Sequence, residues 1–274
     1  MELYDAIFYR KSIKNYSNKS IKETLMNEVK SACSNLTYIN KELNIKAHVV
    51  DRGHIIHFLM GKKCNIKAPH YIVVTSDKGE DYLQNVGFAL ENVVLKLTSL
   101  GLATCWIESK LKREDILEFI NLDTTEIDEE NEEEVEINLE EPIAVIAFGY
   151  PDKETNLFRK KDDKLDRKRI NHISRKLDRR WIKILKAVRV APSIKNTQPW
   201  MFYNKDNNIY IYQENQKTSI EDMSKISMGI ALRHFDLACK NYDMNIMYEK
   251  TKPRRKIGKK YFITAVLNNN VIEN

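Results

Sequence analysis

The sequence predicts an α+β fold built from two related halves, each a central sheet flanked by helices, packed together as an internal pseudo-dimer. Three observations predict it. Helical and β-rich segments run through a similar order twice, once up to about residue 150 and again from residue 181. The long helix of each half opens on a related tetrapeptide, Gly87-Phe88-Ala89-Leu90 and Gly229-Ile230-Ala231-Leu232, while Ala32-Cys33-Ser34 and Ala191-Pro192-Ser193 each follow the helix before. Between the repeats, Asp152 to Asp178 is polar and charged, a crossing segment rather than core. The expected halves are residues 1–165 and 166–274.

The elements follow in chain order. Glu2 to Phe8 reads as a short helix. Ser20 with Glu23 forms a capping box and should start a helix near Ile21, with Ile21, Leu25, Val29 and Ala32 on its apolar face. Lys46–Asp51 and Tyr71–Thr75 are β-rich. Val86, Leu90, Val93, Val94, Leu97 and Leu100 recur at helical spacing, and Gly101 is the stop. Leu111 to Ile120 reads as another short helix. Pro142 to Phe148 is continuously apolar after its proline, the pattern of a central strand. In the second half Trp181, Ile184, Leu185 and Val188 form a helical stripe, and Trp200–Tyr203 and Ile209–Tyr212 are β-rich. Met228, Ala231, Leu232, Phe235 and Ala238 mark a second long helix, and Tyr261–Leu267 a last strand.

Composition narrows the class of protein. With 274 residues, 42% hydrophobic and 31% charged, the chain can bury a core and is not globally disordered. No uncharged apolar run reaches the roughly 18 residues of a membrane helix, and the start lacks a secretory pattern, so a soluble cytoplasmic protein is expected. Cys33, Cys64, Cys105 and Cys239 form no Cys-x-x-Cys pair and have no histidine at ligand spacing, so reduced buried thiols and no metal site are expected. Residues 124–141 hold ten acidic and no basic residues. The rest carries 45 basic against 29 acidic residues, a surplus of 16. The body is therefore basic and the insertion acidic, the latter read as a solvated loop. A basic body could attract nucleic acid or anionic cofactors, but no aromatic-interleaved nucleic-acid motif is visible.

Three segments carry candidate chemistry. Arg10-Lys11-Ser12-Ile13-Lys14 combines cations with a hydroxyl, a donor set suited to phosphate. Ala191-Pro192-Ser193-Ile194-Lys195-Asn196-Thr197-Gln198-Pro199-Trp200 sets two prolines and four short polar residues between a helix and a strand, suited to a rigid loop gripping a polar ligand. Gly101-Leu102-Ala103-Thr104-Cys105-Trp106-Ile107-Glu108-Ser109 leaves the long buried helix.

Together these segments resemble the flavin-dependent nitroreductase family. Its members carry an Arg-Arg-Ser type motif near the N-terminus, an Ala-Pro-Ser-x-x-Asn-x-Gln-Pro-Trp loop and a Gly-Leu-x-x-x-Trp segment after a long helix. The loop is the specific signal. Ordinary members are homodimers with FMN at the interface, one subunit offering the arginine motif and the other the loop. Here the two motifs lie in opposite halves of one chain, similar to a single-chain, fused subfamily. The resemblance implies a nitroreductase-like fold with one tightly held FMN between the halves, NAD(P)H as reductant, and ping-pong reduction of small nitroaromatic or quinone-type acceptors, the chemistry belonging to the flavin. It places Arg10, Lys11 and Ser12 on the FMN phosphate and ribityl chain, with Lys14 close by, and Arg159 and Lys160 adding phosphate charge. It places Pro192, Ser193 and Asn196 along the isoalloxazine ring, helped by Gln198. Glu108 and Ser109 lie where backbone N–H groups approach the flavin, Ser109 standing where the family usually has glycine. A second pseudo-site, pairing residues 31–36 with 241–248, lacks the motifs and is expected to be vestigial. An internal pseudo-dimer could stand as a monomer. The rivals are another flavin reaction of the same superfamily, a catalytically silent flavin-binding sensor, and a basic nucleic-acid-binding protein.

Overall fold

A computed structural model describes residues 1–61, 64–108, 111–122, 140–154, 157–160, 163–205 and 208–268. The acidic insertion lies almost wholly outside the described residues, as does Ser109.

The first part of the chain runs α1 (Leu3–Tyr9), α2 (Glu23–Ser34), β1 (Ile45–Val50), α3 (Gly53–Leu59), β2 (His70–Ser76), α4 (Tyr82–Ser99), β3 (Ala103–Glu108), α5 (Arg113–Ile116) and β4 (Glu141–Gly149). The second runs α6 (Ile170–Ile173), β5 (Ser174–Arg175), α7 (Arg179–Arg189), β6 (Trp200–Lys205), β7 (Asn208–Glu214), α8 (Glu221–Asn241), β8 (Ile246–Glu249) and β9 (Lys259–Leu267). The architecture is α+β, two sheets with helices packed between and around them. The first sheet has the order β1-β2-β4-β3 and the second β5-β6-β7-β9-β8. Setting aside the two-residue β5, both sheets follow one scheme: first strand, second, fourth, third, with every neighbour antiparallel. The second strand of each is also bulged against the fourth, at Val74/Thr75 and at Ile211/Tyr212.

The long helices α4 and α8 cross at the centre. Each crosses at its glycine. A Cβ on Gly87 would lie 2.0 Å from the Ile226 carbonyl oxygen, and one on Gly229 would lie 1.8 Å from that of Gln84. Only hydrogen fits between the two backbones, which explains why both tetrapeptides begin with glycine. Both helices are buried almost all round, as expected of helices at the middle of a core rather than at its edge. One continuous core joins them to both sheets. On the second side Trp181, Phe235 and Phe202 stack with ring centroids 5.7 and 5.6 Å apart.

The periodicities located the main elements, with two corrections. Helix α2 begins at Glu23, because the backbone is still extended at Lys22 (φ −62°, ψ 143°) and Ser20 is too far upstream to cap it. Its buried residues are Met26, Val29 and Cys33. The 111–120 segment forms only the single turn α5. Its apolar spacing is used differently: Leu111, Ile116 and Ile120 cover the outer face of the first sheet, beside Tyr71, Val73, Val145 and Ala147. That sheet is therefore buried on both faces, which is why β4 is continuously apolar. Gly101 ends the turn after α4 with φ +81°, as a helix stop requires. Among the described residues no helix is long and apolar enough to cross a membrane, and no cluster of three or more metal-ligating side chains occurs.

Candidate functional site

Arg10 caps the C-terminal end of α1 and turns the chain into extended conformation (ψ 134°). The next residues then lie along the free edge of β3. Ser12 bridges to Thr104, and the Ile13 N–H donates to the Thr104 carbonyl at 3.0 Å. This edge contact sets Ser12 and Lys14 beside Cys105 and Trp106.

The opposite wall comes from the second part of the chain. After α7 the loop 191–199 makes a 3-10 turn over Ile194–Asn196. Lys195, Asn196 and Gln198 all adopt left-handed backbone, with φ of 46°, 57° and 47°. Such conformations cost non-glycine residues free energy and persist only where surrounding bonds impose them. Those bonds are present. The Ser193 hydroxyl accepts from the Gln198 N–H at 3.0 Å, and Gln198 Oε1 accepts from the Lys168 N–H at 2.8 Å. Asn196 Nδ2 donates to the Asp166 carbonyl at 2.9 Å, and Asn196 Oδ1 accepts from Arg167 at 2.7 Å. The Ile194 N–H donates to the Ser227 hydroxyl on α8 at 3.1 Å.

Between these walls lies a cleft of about 350 Å³. Ser12, Lys14 and Glu108 line one side, and Pro192, Ser193 and Asn196 the other. Trp106, Ile226 and Ile230 supply apolar wall. Ser12 also belongs to an adjoining concavity of about 390 Å³, lined by Arg10, Lys11, Arg159, Lys164, Arg167 and Asp163. The two spaces thus meet at Ser12, one partly apolar, the other cationic.

The cationic end is held under electrostatic tension. Burial pushes the Arg159 guanidinium down to about 10, and repulsion from Arg10 and Arg167 pushes the same way. Burial also lowers Arg167, again with Arg10 adding to it. Arg10 is 2% exposed; burial lowers it, opposed by Glu91. Arg10 Nε and Arg167 Nε are buried without a hydrogen-bond partner. Like charges crowded together with donors to spare form a site for an anion that contacts several of them.

Beneath both spaces sits Glu91 of α4, fully buried. Its carboxylate accepts from Trp106 Nε1 at 2.8 Å and lies 3.9 Å from Arg10 Nε, so one acid braces a wall of each space. Its other contact crosses to α8, where His234 Nε2 lies 3.0 Å away. His234 Nδ1 faces the Ala187 carbonyl at 3.0 Å. A carbonyl only accepts, so Nδ1 carries hydrogen, and a proton is shared between Nε2 and Glu91.

Most residues singled out from sequence come together here. Arg10, Lys11, Ser12 and Arg159 line the cationic space, and Lys14, Glu108, Pro192, Ser193 and Asn196 the cleft. Lys160 is exposed and absent from the described walls; its N–H caps Asp163 instead. Gln198 is buried behind the loop as a brace and does not face the cleft. Trp106 forms cleft wall, its indole N–H held by Glu91. Cys105 lines the cleft with its thiol pushed up by burial, consistent with packing. Sequence reasoning missed Arg167, hidden in a run of mixed charge, and the Ile226–Ile230 wall of α8, whose signal was its position around Gly229.

On the opposite side of the α4–α8 crossing is a smaller cleft of about 220 Å³, lined by Asn40, Asp81, Asn85, Tyr248 and Lys250 among others. It uses the loop after α2, beyond the 31–36 segment expected. Asn85 Oδ1 accepts from the Ile39 N–H at 2.8 Å, in the place where Ser227 accepts from Ile194. No arginine is among its described lining residues; Glu80 and Asp81 pair with Lys250.

A sequence model of the family described as "Putative TM nitroreductase" matches residues 2–239. Among solved structures, a "putative nitroreductase" from Thermotoga maritima MSB8 is 21% identical, with TM-score 0.62 over 98% of this chain and 94% of its own. A "Putative NADH Oxidase" from Clostridium acetobutylicum is 21% identical, with TM-score 0.41 over 59% of this chain and 95% of its own. An "FMN-dependent Nitroreductase" from Clostridium difficile R20291 is 18% identical, with TM-score 0.41 over 59% and 91%. A search of curated proteins finds no match. With the family model covering most of its length, the chain belongs to the nitroreductase family.

Proposed function

We propose that the protein is an FMN-dependent oxidoreductase that uses NAD(P)H to reduce small nitroaromatic or quinone-type acceptors in a ping-pong cycle, with one tightly held FMN between its two halves. The observation that carries this is the junction at Ser12: an arginine-lined anion site opens into a cleft with one wall from each half. The dimensions and chemistry match a phosphate on a chain leading to a flat ring. The two buried, unpartnered arginine Nε groups fit that anion.

In this reading Arg10, Lys11, Ser12, Arg159 and Arg167 hold the phosphate. Pro192, Ser193 and Asn196 align the ring against Trp106, and Ile226 and Ile230 exclude water from it. Lys14 brings positive charge to the cleft, where a reduced ring gains negative charge; in a partly apolar cleft that attraction is stronger than in water. Glu108 marks the strand end at which backbone N–H groups approach the ring. Chemistry supplied by bound FMN is two-electron transfer, in from NAD(P)H and out to the acceptor. Asn196, locked by Arg167 and Asp166, keeps the loop wall in place whether or not the cleft is filled.

The same reading treats the chain as an internal pseudo-dimer of residues 1–165 and 166–274, able to act as a monomer. It is supported by the common strand scheme, the matching bulges, the reciprocal glycines and the paired Asn85 and Ser227 contacts. The second cleft, smaller and without arginines, is then the vestigial site.

The test is a visible spectrum of purified protein, followed by heat release and identification of the chromophore. One FMN per chain, bleached by NADH or NADPH without oxygen and recoloured by a quinone or nitroaromatic, is expected. Absence of flavin after incubation with excess FMN overturns the proposal, and two per chain overturn the single-site reading.

A further inference from the structure

Another cleft, of about 470 Å³, is larger than any of the three spaces described above and shares none of its described lining residues with them. It lies on the outer face of the second sheet. Strand alternation sends Trp200 and Phe202 into the core and leaves Tyr203 outside. On the neighbouring strand Ile209 and Ile211 point inward, and Tyr210, the register partner of Tyr203, points outward with Tyr212. The floor is therefore aromatic.

Its rim is cationic. Arg175 and Lys176 come from the end of β5 and the turn after it, and Lys252, Arg254 and Lys256 from the loop between β8 and β9. None of these five makes an ion pair among the described residues, and no carboxylate is among the described lining residues. Glu214, on β7, is held by Lys168 at 2.9 Å. Lys256 Nζ sits 4.7 Å from the centre of the Tyr203 ring, so cation and ring are already juxtaposed.

The loop is anchored rather than draped. Tyr212 Oη donates to the Arg254 carbonyl at 2.9 Å, and the Thr251 N–H donates to Tyr261 Oη at 3.0 Å. These bonds hold the rim above the floor and leave the space between open. The complement is a ligand with a flat ring for the tyrosines and phosphate for the rim.

We propose that this cleft binds a nucleobase attached to phosphate, as a free nucleotide or as single-stranded nucleic acid. It is a site separate from the flavin cleft, and it does not depend on the flavin reading.

The test is calorimetric titration of the full-length protein, reconstituted with FMN, using ATP, inorganic tripolyphosphate, adenosine and an eight-residue deoxyadenosine oligomer. One ATP per chain is expected, with tripolyphosphate and adenosine each bound at least tenfold more weakly. An oligomer binding more tightly than ATP identifies single strands as the source, and the reverse order identifies the free nucleotide. The double substitution Lys252→Glu with Arg254→Glu, on exposed side chains, should weaken ATP at least tenfold while flavin content and NADH oxidation stay unchanged. Lys22→Glu with Lys67→Glu, an equal change of charge far from the cleft, should leave ATP binding within twofold. Tripolyphosphate equal to ATP reduces the site to a charged patch and overturns the proposal. So does ATP binding that the 252/254 pair does not weaken, or no binding at all. Because the titration reads ATP heat, its failure is distinct from a failure to retain flavin.

Discussion

Replacing Glu91 separates two jobs of one buried acid. Opposite unit charges 3.9 Å apart attract by about 4 kcal/mol at an effective dielectric of about 20. Glu91→Gln removes that attraction to Arg10 and the shared proton with His234 3.0 Å away, but also the several kcal/mol cost of keeping a carboxylate out of water. The amide keeps both remaining bonds: Oε1 accepts from Trp106, and Nε2 donates to a neutral His234 whose Nδ1 still donates to Ala187. A net loss of about 1–2 kcal/mol is expected. Glu91→Ala strands the Trp106 indole N–H, His234 Nε2 and the Arg10 charge together, and should cost about 4 kcal/mol or more. A further consequence separates charge from packing. A bound phosphate gives Arg10 a substitute counter-charge, so FMN should stabilise Glu91→Gln more than it stabilises the parent protein. Urea denaturation of the three proteins, each with and without saturating FMN, measures this. Equal losses for glutamine and alanine, or a glutamine loss that FMN does not reduce, would refute the reasoning.

Gly87→Ala or Gly229→Ala should cost about 3 kcal/mol or prevent folding, since the new Cβ meets backbone oxygen at 2.0 or 1.8 Å and the central helices must part; soluble yield and urea midpoint report it, and parental stability in either variant would contradict the packing described. Arg167→Ala should weaken FMN about tenfold to a hundredfold, measured by quenching of flavin fluorescence, and should cost about 1 kcal/mol of stability, because relief of repulsion within the arginine cluster only partly offsets the lost hydrogen bond to Asn196. Glu140 is held at about 2: burial raises it, but the His48 ring 3.8 Å away and hydrogen bonds from Thr75 and Lys46 outweigh burial. Its folded value lies below the unfolded 4.5, so its contribution is present above about pH 5 and lost as pH falls toward 2. Glu140→Gln should therefore cost about 2 kcal/mol at pH 7, after allowance for screening, and nothing near pH 2. A constant difference across that range would exclude the linkage.

What the sequence disclosed follows the physics of each segment. The long helices were legible because they are buried and periodic, and β4 because it is apolar on both faces. The ten-residue loop was legible because its prolines and short polar residues are dictated by local backbone geometry. Edge elements were not. Strand β3 reads as a motif because its residues serve the cleft as much as the sheet. Strand β8 is short, with alternate exposure, and carries little apolar signal. The Ser20–Glu23 pair shows how a local signature yields when the backbone ahead of the helix is held extended. Arg167 is indistinguishable from surface charge in a segment that alternates Asp, Arg and Lys; only the fold brings it against Arg10 and Arg159. Gln198 matched the motif by type, yet its place behind the loop follows from a left-handed backbone that no composition reveals.

The crossing of α4 and α8 has a consequence for the cleft built over it. Both walls belong to one covalent chain and share one core, so the cleft cannot come apart on dilution. A site assembled from two separate subunits loses its ligand as the protein concentration falls through the dissociation constant of the pair. Here ligand retention should be independent of protein concentration. The same tether removes a symmetry constraint. In a homodimer every substitution appears at both interfacial sites at once, whereas on a single chain each substitution falls on one side of the crossing only. The arginines on one side and the Glu80–Asp81–Lys250 cluster on the other are the kind of difference such an arrangement permits.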